Sequence, residues 1–389
     1  MERQIPEKVL EFQRHNVSNQ IQLSVKPMKA LRLTALLVAI ESLSAFAQFS
    51  PGNLAVVHVG NGTETLSGTG NTFFIDQYTT GGSFINAVST TGLVLGGNRT
   101  AEGYLSLSGD GLSLGFAAYI STPGATDVQA AVGTTVARAF GMVTLSSGTF
   151  STPISSTTAY SAQSWRSAVT DGSGNYWGFG SGTPNGGFYL GSGPQTALQS
   201  TYTTLRSASI YNGNLYFSHS GSAGTGTGIY GYSGLPTGAS TATQLIATGT
   251  GAAPNEFALN SAGNMAFIAD DRAVASGGGI QKWTFNGSVW SLAYTVASGS
   301  PNGARGLAVD WSGANPIVYA TTGESSSTAV NKLITFTDNG TPTPSITTLA
   351  TSSTATYFRG LELVPVPEPA TGVLAGLGAM VFLMFRRRR

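Results

Sequence analysis

The sequence predicts an all-β fold, a β-propeller-like ring of about six four-stranded blades closed by its own N- and C-terminal strands. Three observations carry that prediction. The 389 residues include 52 glycines, and only 10% of them are charged, whereas helical domains carry about 25% because their exposed faces are rich in Lys and Glu. From Leu54 to Val364, short apolar or aromatic runs alternate with Gly, Asn and Ser turns, which is the patterning of strands and hairpins. A strand–turn–strand phrase then recurs at a period of roughly 40–50 residues, the length of a propeller blade. With 41% hydrophobic residues, the chain has enough apolar material for a core and does not read as disordered.

Residues 28–47 read as a signal peptide. Lys29 and Arg32 form a basic start, Leu33 to Ile40 an apolar stretch, and Ala45-Phe46-Ala47 places small residues at the two positions a signal peptidase reads. Cleavage is expected after Ala47, leaving Gln48 as the new N-terminus. Residues 1–27 are charged and are expected to be an upstream extension, with translation starting at Met28. The rival reading makes them a buried first helix.

The body, residues 48–364, opens with three strand-like runs, Leu54–Val59, Thr72–Tyr78 and Ser83–Val88. Repeat starts then fall near Glu102, Arg166, Arg206, Glu256, Arg305 and Arg359, separated by 64, 40, 50, 49 and 54 residues. Tyr211-Asn212-Gly213-Asn214 carries the Asn-Gly signature of a tight hairpin. Arg166–Asp171, Glu256–Asn260 and Arg305–Asp310 each lead through a Gly-containing turn into a second strand. Two more strand-like runs follow each phrase, such as Lys332–Thr337 and Ser345–Leu349. Phe358–Val364 looks like a first strand with nothing after it, so pairing it with the three opening strands would close the ring and remove exposed edges. Seven blades result if the long unit from Glu102 to Ser164 holds two. A pair of β-sandwiches or a β-helix is the main rival architecture.

At the C-terminus, Val366-Pro367-Glu368-Pro369 precedes an apolar run from Ala370 to Phe385, and Arg386, Arg387, Arg388 and Arg389 end the chain. The run predicts a transmembrane helix over 370–385, about 24 Å long at ~1.5 Å per residue. That is slightly short for a ~30 Å hydrocarbon core, a difference that snorkelling by Arg386 covers. The four arginines are expected to stay on the cytoplasmic side, which leaves the body outside. The two flanking prolines stiffen an extended stem that a membrane protease can grip.

These residues resemble the PEP-CTERM sorting signal, a Pro-Glu-Pro motif followed by a transmembrane helix and a basic end, found on exported proteins of bacteria that make extracellular polysaccharide. The resemblance covers residues 365–389 alone. It implies recognition by an exosortase, cleavage near Pro367, Glu368 and Pro369, and release or transfer of the body.

Little in the body points to catalysis. The absence of Cys excludes thiol catalysis, thiolate zinc sites and iron–sulfur clusters. Between Gln48 and Pro369 there are nine Lys and Arg against fourteen Asp and Glu, a mildly acidic balance without a basic stripe that argues against nucleic-acid binding. His15 falls in the leader, and His58 and His219 are widely separated, as structural histidines are. Asp171-Gly-Ser-Gly-Asn175 faintly resembles a calcium loop but lacks its later Glu and further carboxylates, so a hairpin turn is expected. Asp270-Asp271-Arg272, the densest charge cluster, would need both carboxylates on one face to cleave sugars. Neighbours on a strand point to opposite faces, so a solvated loop is expected. Gly224-Thr-Gly-Thr-Gly228 has no following Lys and reads as a flexible turn. Trp165, Trp177 and Tyr176 would stack on sugars if exposed, but strand aromatics are more commonly core.

Arg166, Arg206, Arg305 and Arg359 recur at the starts of the blades. First strands line the channel of a propeller, so these arginines would form a basic ring there, or each would instead hold neighbouring carbonyls and acids. The second reading is favoured. No catalytic residue, metal or cofactor is expected. The expected protein is an exported, non-catalytic propeller at the cell surface or in the extracellular matrix, in contact with polysaccharide, with exosortase, signal peptidase and the membrane as its other partners. A secreted propeller hydrolase or lyase acting on carbohydrate is the alternative, and a purely structural matrix component the third.

Overall fold

The computed structural model describes residues 49–366 except 183–185, 192–194, 222–225, 325 and 327–328. The leader, the Pro-Glu-Pro motif, the expected helix over 370–385 and the arginine tail lie outside the described residues. Within them the chain forms six antiparallel sheets, the blades of a propeller. Blade 1 closes the ring: Tyr357–Leu363 is innermost and pairs with Leu54–Val59, which pairs with Phe73–Tyr78 and then Phe84–Ser89. This is the closure read from the two ends of the body.

The innermost strands of blades 2 to 6 are Leu105–Leu107, Trp165–Thr170, Leu205–Tyr211, Pro254–Leu259 and Ala304–Asp310, each followed outward by three strands in chain order. The long unit therefore holds one blade, and seven is excluded. Its extra length is the loop 121–137, organised by Arg138, a fully buried residue whose guanidinium donates to the carbonyls of Gln129, Ala131, Val136 and Gln163. Two short strands, Gly70–Asn71 and Leu93–Gly96, extend the same sheet.

Strand alternation sends one face of each blade towards each neighbour. As a result, a separate apolar cluster fills each of the six spaces between blades. Trp165 lies between blades 2 and 3, Trp177 between blades 3 and 4. The hairpin in blade 4 turns through Asn212 (φ 48°) and Gly213 (φ 70°), the two left-handed positions of a type I′ turn that Asn-Gly favours.

Both ends of the described chain leave from one face. Gly52 N–H donates to Val364 O and Val364 N–H to Asn53 O. Phe49, Pro51, Val364 and Pro365 line a cavity of about 400 Å³ with Leu112 and Leu145. This is the face at which the inner strands end; their first residues gather at the other.

Candidate functional site

Five of the six inner strands, all but that of blade 2, carry an irregularity at their start. The pairing register shifts across Arg166, across Arg206 and Ser207, across Asn255 and Glu256, and across Arg305 and Gly306. In blade 1 it shifts beside Arg359 and Gly360. A bulge re-aims the side chain it contains, and here these side chains meet at one mouth of the channel. Small residues beside the arginines let the strands approach. A Cβ on Gly306 would sit 2.2 Å from Arg359 O, and one on Gly360 would sit 2.5 Å from Gly103 O.

Arg206 and Arg305 share one counter-ion. Arg206 NH1 lies 3.0 Å from Asp271 Oδ1, and Arg305 Nε lies 3.0 Å from Asp271 Oδ2. Arg305 also donates to the Tyr357 hydroxyl at 2.7 Å. Arg166 makes a single described hydrogen bond, to Leu205 O at 3.1 Å. Arg359 is buried and donates to the carbonyls of Gly96 and Gly97 at 2.7 and 2.9 Å. Both sequence readings of the arginines thus hold in part: they do converge, and each also ties blade to blade. Below them Tyr104 of blade 2 donates across the channel to Asn255 Oδ1 of blade 5, which also accepts from Arg206. Burial pushes the Tyr104 phenol up to about 12, so it serves as a donor.

The mouth is short of negative charge. Burial alone would raise the Asp271 carboxyl, but Arg206 and Arg305 outweigh it and hold it below its ordinary value. Burial, and then Arg206, depress the Arg166 guanidinium. Burial brings Arg359 down to about 10, with Glu102 opposing. The nearby Glu102 is itself pushed up by burial and accepts from the Tyr119 hydroxyl at 2.7 Å. The buried Nε atoms of Arg166, Arg206 and Arg359 have no described partner.

Deeper in the channel, Glu256 from blade 5 accepts three backbone amides. Leu105 N–H of blade 2 reaches Oε1 at 3.0 Å, while those of Leu307 in blade 6 and Leu361 in blade 1 reach Oε2 at 2.7 and 3.0 Å. Glu362, also in the channel, takes the N–H of Leu107 at 3.3 Å and that of Leu363. Burial and Glu362 push the Glu256 carboxyl up, and its amide donors oppose them. Burial pushes Glu362 up to about 8. Both carboxyls are thus held above their ordinary values, each against the pull of backbone N–H donors.

Glu362 consequently makes stability depend on pH. Below its ordinary value of 4.5 both folded and unfolded chains hold the proton. Between there and about 8 only the folded chain does, so stability falls as pH rises through that window. Glu362→Gln removes this dependence. Relative to wild type the variant is expected to gain stability between pH 5 and pH 8, by at most about 1.4 kcal/mol per pH unit and less because Glu362 is only part-buried. Urea midpoints of both proteins at the two pH values check it; a difference independent of pH contradicts the assignment.

The structure corrects the reading of Asp270-Asp271-Arg272 as a solvated loop. Asp270 is buried, chelated by Arg272 and hydrogen-bonded by Gln281, and Asp271 faces the opposite way, into the arginine mouth. Their opposed directions are those expected of strand neighbours. Asp171 accepts the N–H groups of Ser173 and Asn175, a self-contained hairpin turn. His58 meets Asp76 at 2.9 Å and the ring edge of Phe358. Burial depresses His219, whose Nδ1 lies 2.9 Å from Gly226 O. Trp165 and Trp177 are fully buried, and Tyr176 packs edge-on against Phe140, which leaves no sugar-stacking platform among them. Of the Gly224–Gly228 segment, Gly228 opens a strand of blade 4, and 224–225 lie outside the described residues. No group of three or more His, Asp or Glu suited to a metal ion occurs among the described residues.

Residues 365–389 match the family model of the PEP-CTERM protein-sorting motif. The tail is thus a sorting signal of that family, which implies export and sorting by an exosortase. No curated protein matches the chain in sequence. Among solved structures, the chain is similar to one in a nidogen/laminin complex (12% identity, TM-score 0.48, covering 81% of this chain and 99% of that one). It is also similar to the periplasmic gluconolactonase PpgL of Pseudomonas aeruginosa (12%, 0.44, 77% and 83%) and to an oligogalacturonate lyase in complex with manganese (9%, 0.38, 70% and 89%). Likeness at this level bears on neither ligand nor chemistry.

Proposed function

We propose that this chain is a non-catalytic binding protein of the cell surface or extracellular matrix, exported and processed by exosortase, with a propeller body associated with exopolysaccharide. The observation that supports this most is the placement of the two working parts. The sorting motif starts at residue 365, beside the turn at Asp110–Leu112, on the face where the inner strands end. The arginine mouth lies on the other face. A body held by its tail therefore presents that mouth away from the membrane. Signal peptidase acts at Ala45 and Ala47, the helix over 370–385 holds the precursor in the membrane, and the Arg386–Arg389 quartet stops it on the cytoplasmic side.

A second reading, a secreted hydrolase or lyase acting on carbohydrate, has one supporting observation, the proton-holding Glu362 in the channel. Of the other acids nearby, Glu256 is occupied by three amides and Asp270 by Arg272.

The chain contains no cysteine, so a single one reports its own location. Thr250, exposed on the arginine side, is replaced by Cys, and intact cells are treated with a membrane-impermeant maleimide. Labelling without lysis, on a species whose C-terminal peptide mass ends near Pro367-Glu368-Pro369, is expected. Labelling only after lysis, with residues 370–389 still attached, contradicts the proposal.

A further inference from the structure

The body is acidic, yet four of its nine Lys and Arg meet at one mouth of the channel. Asp271 is the one carboxylate that ion-pairs with them among the described residues. Arg359 is buried, with its outer guanidinium nitrogens turned to backbone carbonyls of blade 2, whereas Arg166 and Arg206 are part-exposed and have guanidinium groups only partly used. A cavity of about 550 Å³ starts at Arg206 and runs along blade 4 and the connection 249–253 that leads to blade 5. Ser220, Thr227, Gln244 and Thr250 supply its side-chain polar groups, and glycines keep its wall low. That volume lies within the ~300–1,000 Å³ of small-ligand sites. It has the character of a site for a ligand with many hydroxyls, because apolar side chains, which dominate ordinary ligand pockets, contribute little beyond alanines to its lining.

We infer that this mouth binds an acidic sugar chain, with a uronate carboxylate on Arg166 and Arg206 above Tyr104 and the adjoining sugar hydroxyls in the cavity beside blade 4. Guanidinium forks match a carboxylate in two parallel hydrogen bonds, and Arg305 adds positive charge while remaining on Asp271. The depressed Arg166 is consistent with a site that gains from an added anion. The inference rests on the body being a binder and gives that binder a ligand class. It requires no turnover, because no acid–base pair borders the cavity.

Calorimetric titration of the full chain in detergent, with a galacturonate trimer, its methyl ester and sodium sulfate at equal ionic strength, tests it. The trimer is expected to bind saturably and the ester not. Arg166→Gln is expected to weaken the trimer at least tenfold while its urea midpoint stays near wild type, since only one backbone contact is lost. Arg166→Lys, which keeps the charge but not the fork, should fall between. Equal binding of acid and ester, no saturable binding of the trimer, or unchanged affinity in Arg166→Gln overturns the inference. Sulfate binding as tightly as the trimer also overturns it, by assigning the site to a free oxyanion. None of these results alters where the Thr250→Cys label appears, so failure here is separable from failure of the sorting proposal.

Discussion

Glu256→Ala is expected to be among the most destabilising single substitutions in the propeller. The carboxylate is the acceptor for Leu105, Leu307 and Leu361 N–H groups from three different blades, and it reaches them from a fourth. Removing it leaves three buried donors without a partner, at about 1–3 kcal/mol each, and a void where the inner strands meet. A loss of about 4 kcal/mol or more is expected against a total of ~5–15 kcal/mol for a native protein. Glu256→Gln keeps one oxygen acceptor but turns an amide NH₂ towards a backbone N–H, so an intermediate loss is expected. It remains measurable if the alanine variant does not fold. Urea unfolding followed by tryptophan fluorescence reads both. Stability within 1 kcal/mol of wild type for either variant contradicts the role assigned to Glu256.

The ring itself was legible in the sequence. Strand alternation and turn chemistry are local properties, so phrases such as Tyr211-Asn212-Gly213-Asn214 mark their hairpins without knowledge of the rest of the fold. The unpaired Phe358–Val364 run and the three-strand start identified the closing blade for the same reason. Less was legible where long-range contacts decide. Nothing near Arg138 in sequence announces that three carbonyls of the preceding loop and that of Gln163 converge on it, and this is why the 102–164 unit left two blade counts open.

The site was half visible. The recurring arginines were apparent, and so was their place on first strands. Their counter-ion was not, because Asp271 lies beyond the end of a second strand and its direction depends on how blade 5 turns. The signal for Glu256 was present in the repeat itself. Where blades 1, 3, 4 and 6 read Arg-Ser or Arg-Gly, blade 5 reads Asn255-Glu256. A carboxylate at the position where its equivalents are small has room to cross the channel, and that departure from the repeat marks the residue that closes it. The burial of Trp165 and Trp177 followed from ordinary strand packing.

Asp271 carries the second large effect, because it joins two blades through two guanidinium groups and neutralises part of a four-arginine cluster. Its lowered carboxyl stabilises the fold at neutral pH; that contribution is present above the ordinary value of 3.8 and is lost as pH falls through the depressed one. Asp271→Asn keeps the shape and removes the charge. A loss of about 3 kcal/mol is expected, the size seen when one partner of a buried ion pair is removed. Arg206→Gln in the same background should return part of it by removing one uncompensated charge.

The double-mutant cycle on Asp271 and Arg206, measured by urea unfolding at pH 7, tests most directly whether the arginines form one electrostatic unit. A coupling of at least about 1 kcal/mol, with the double variant more stable than the sum of the single losses implies, is the expected result. Losses that simply add, or an Asp271→Asn variant within 0.5 kcal/mol of wild type, would show that the arginine mouth is not the coupled, anion-deficient site described here.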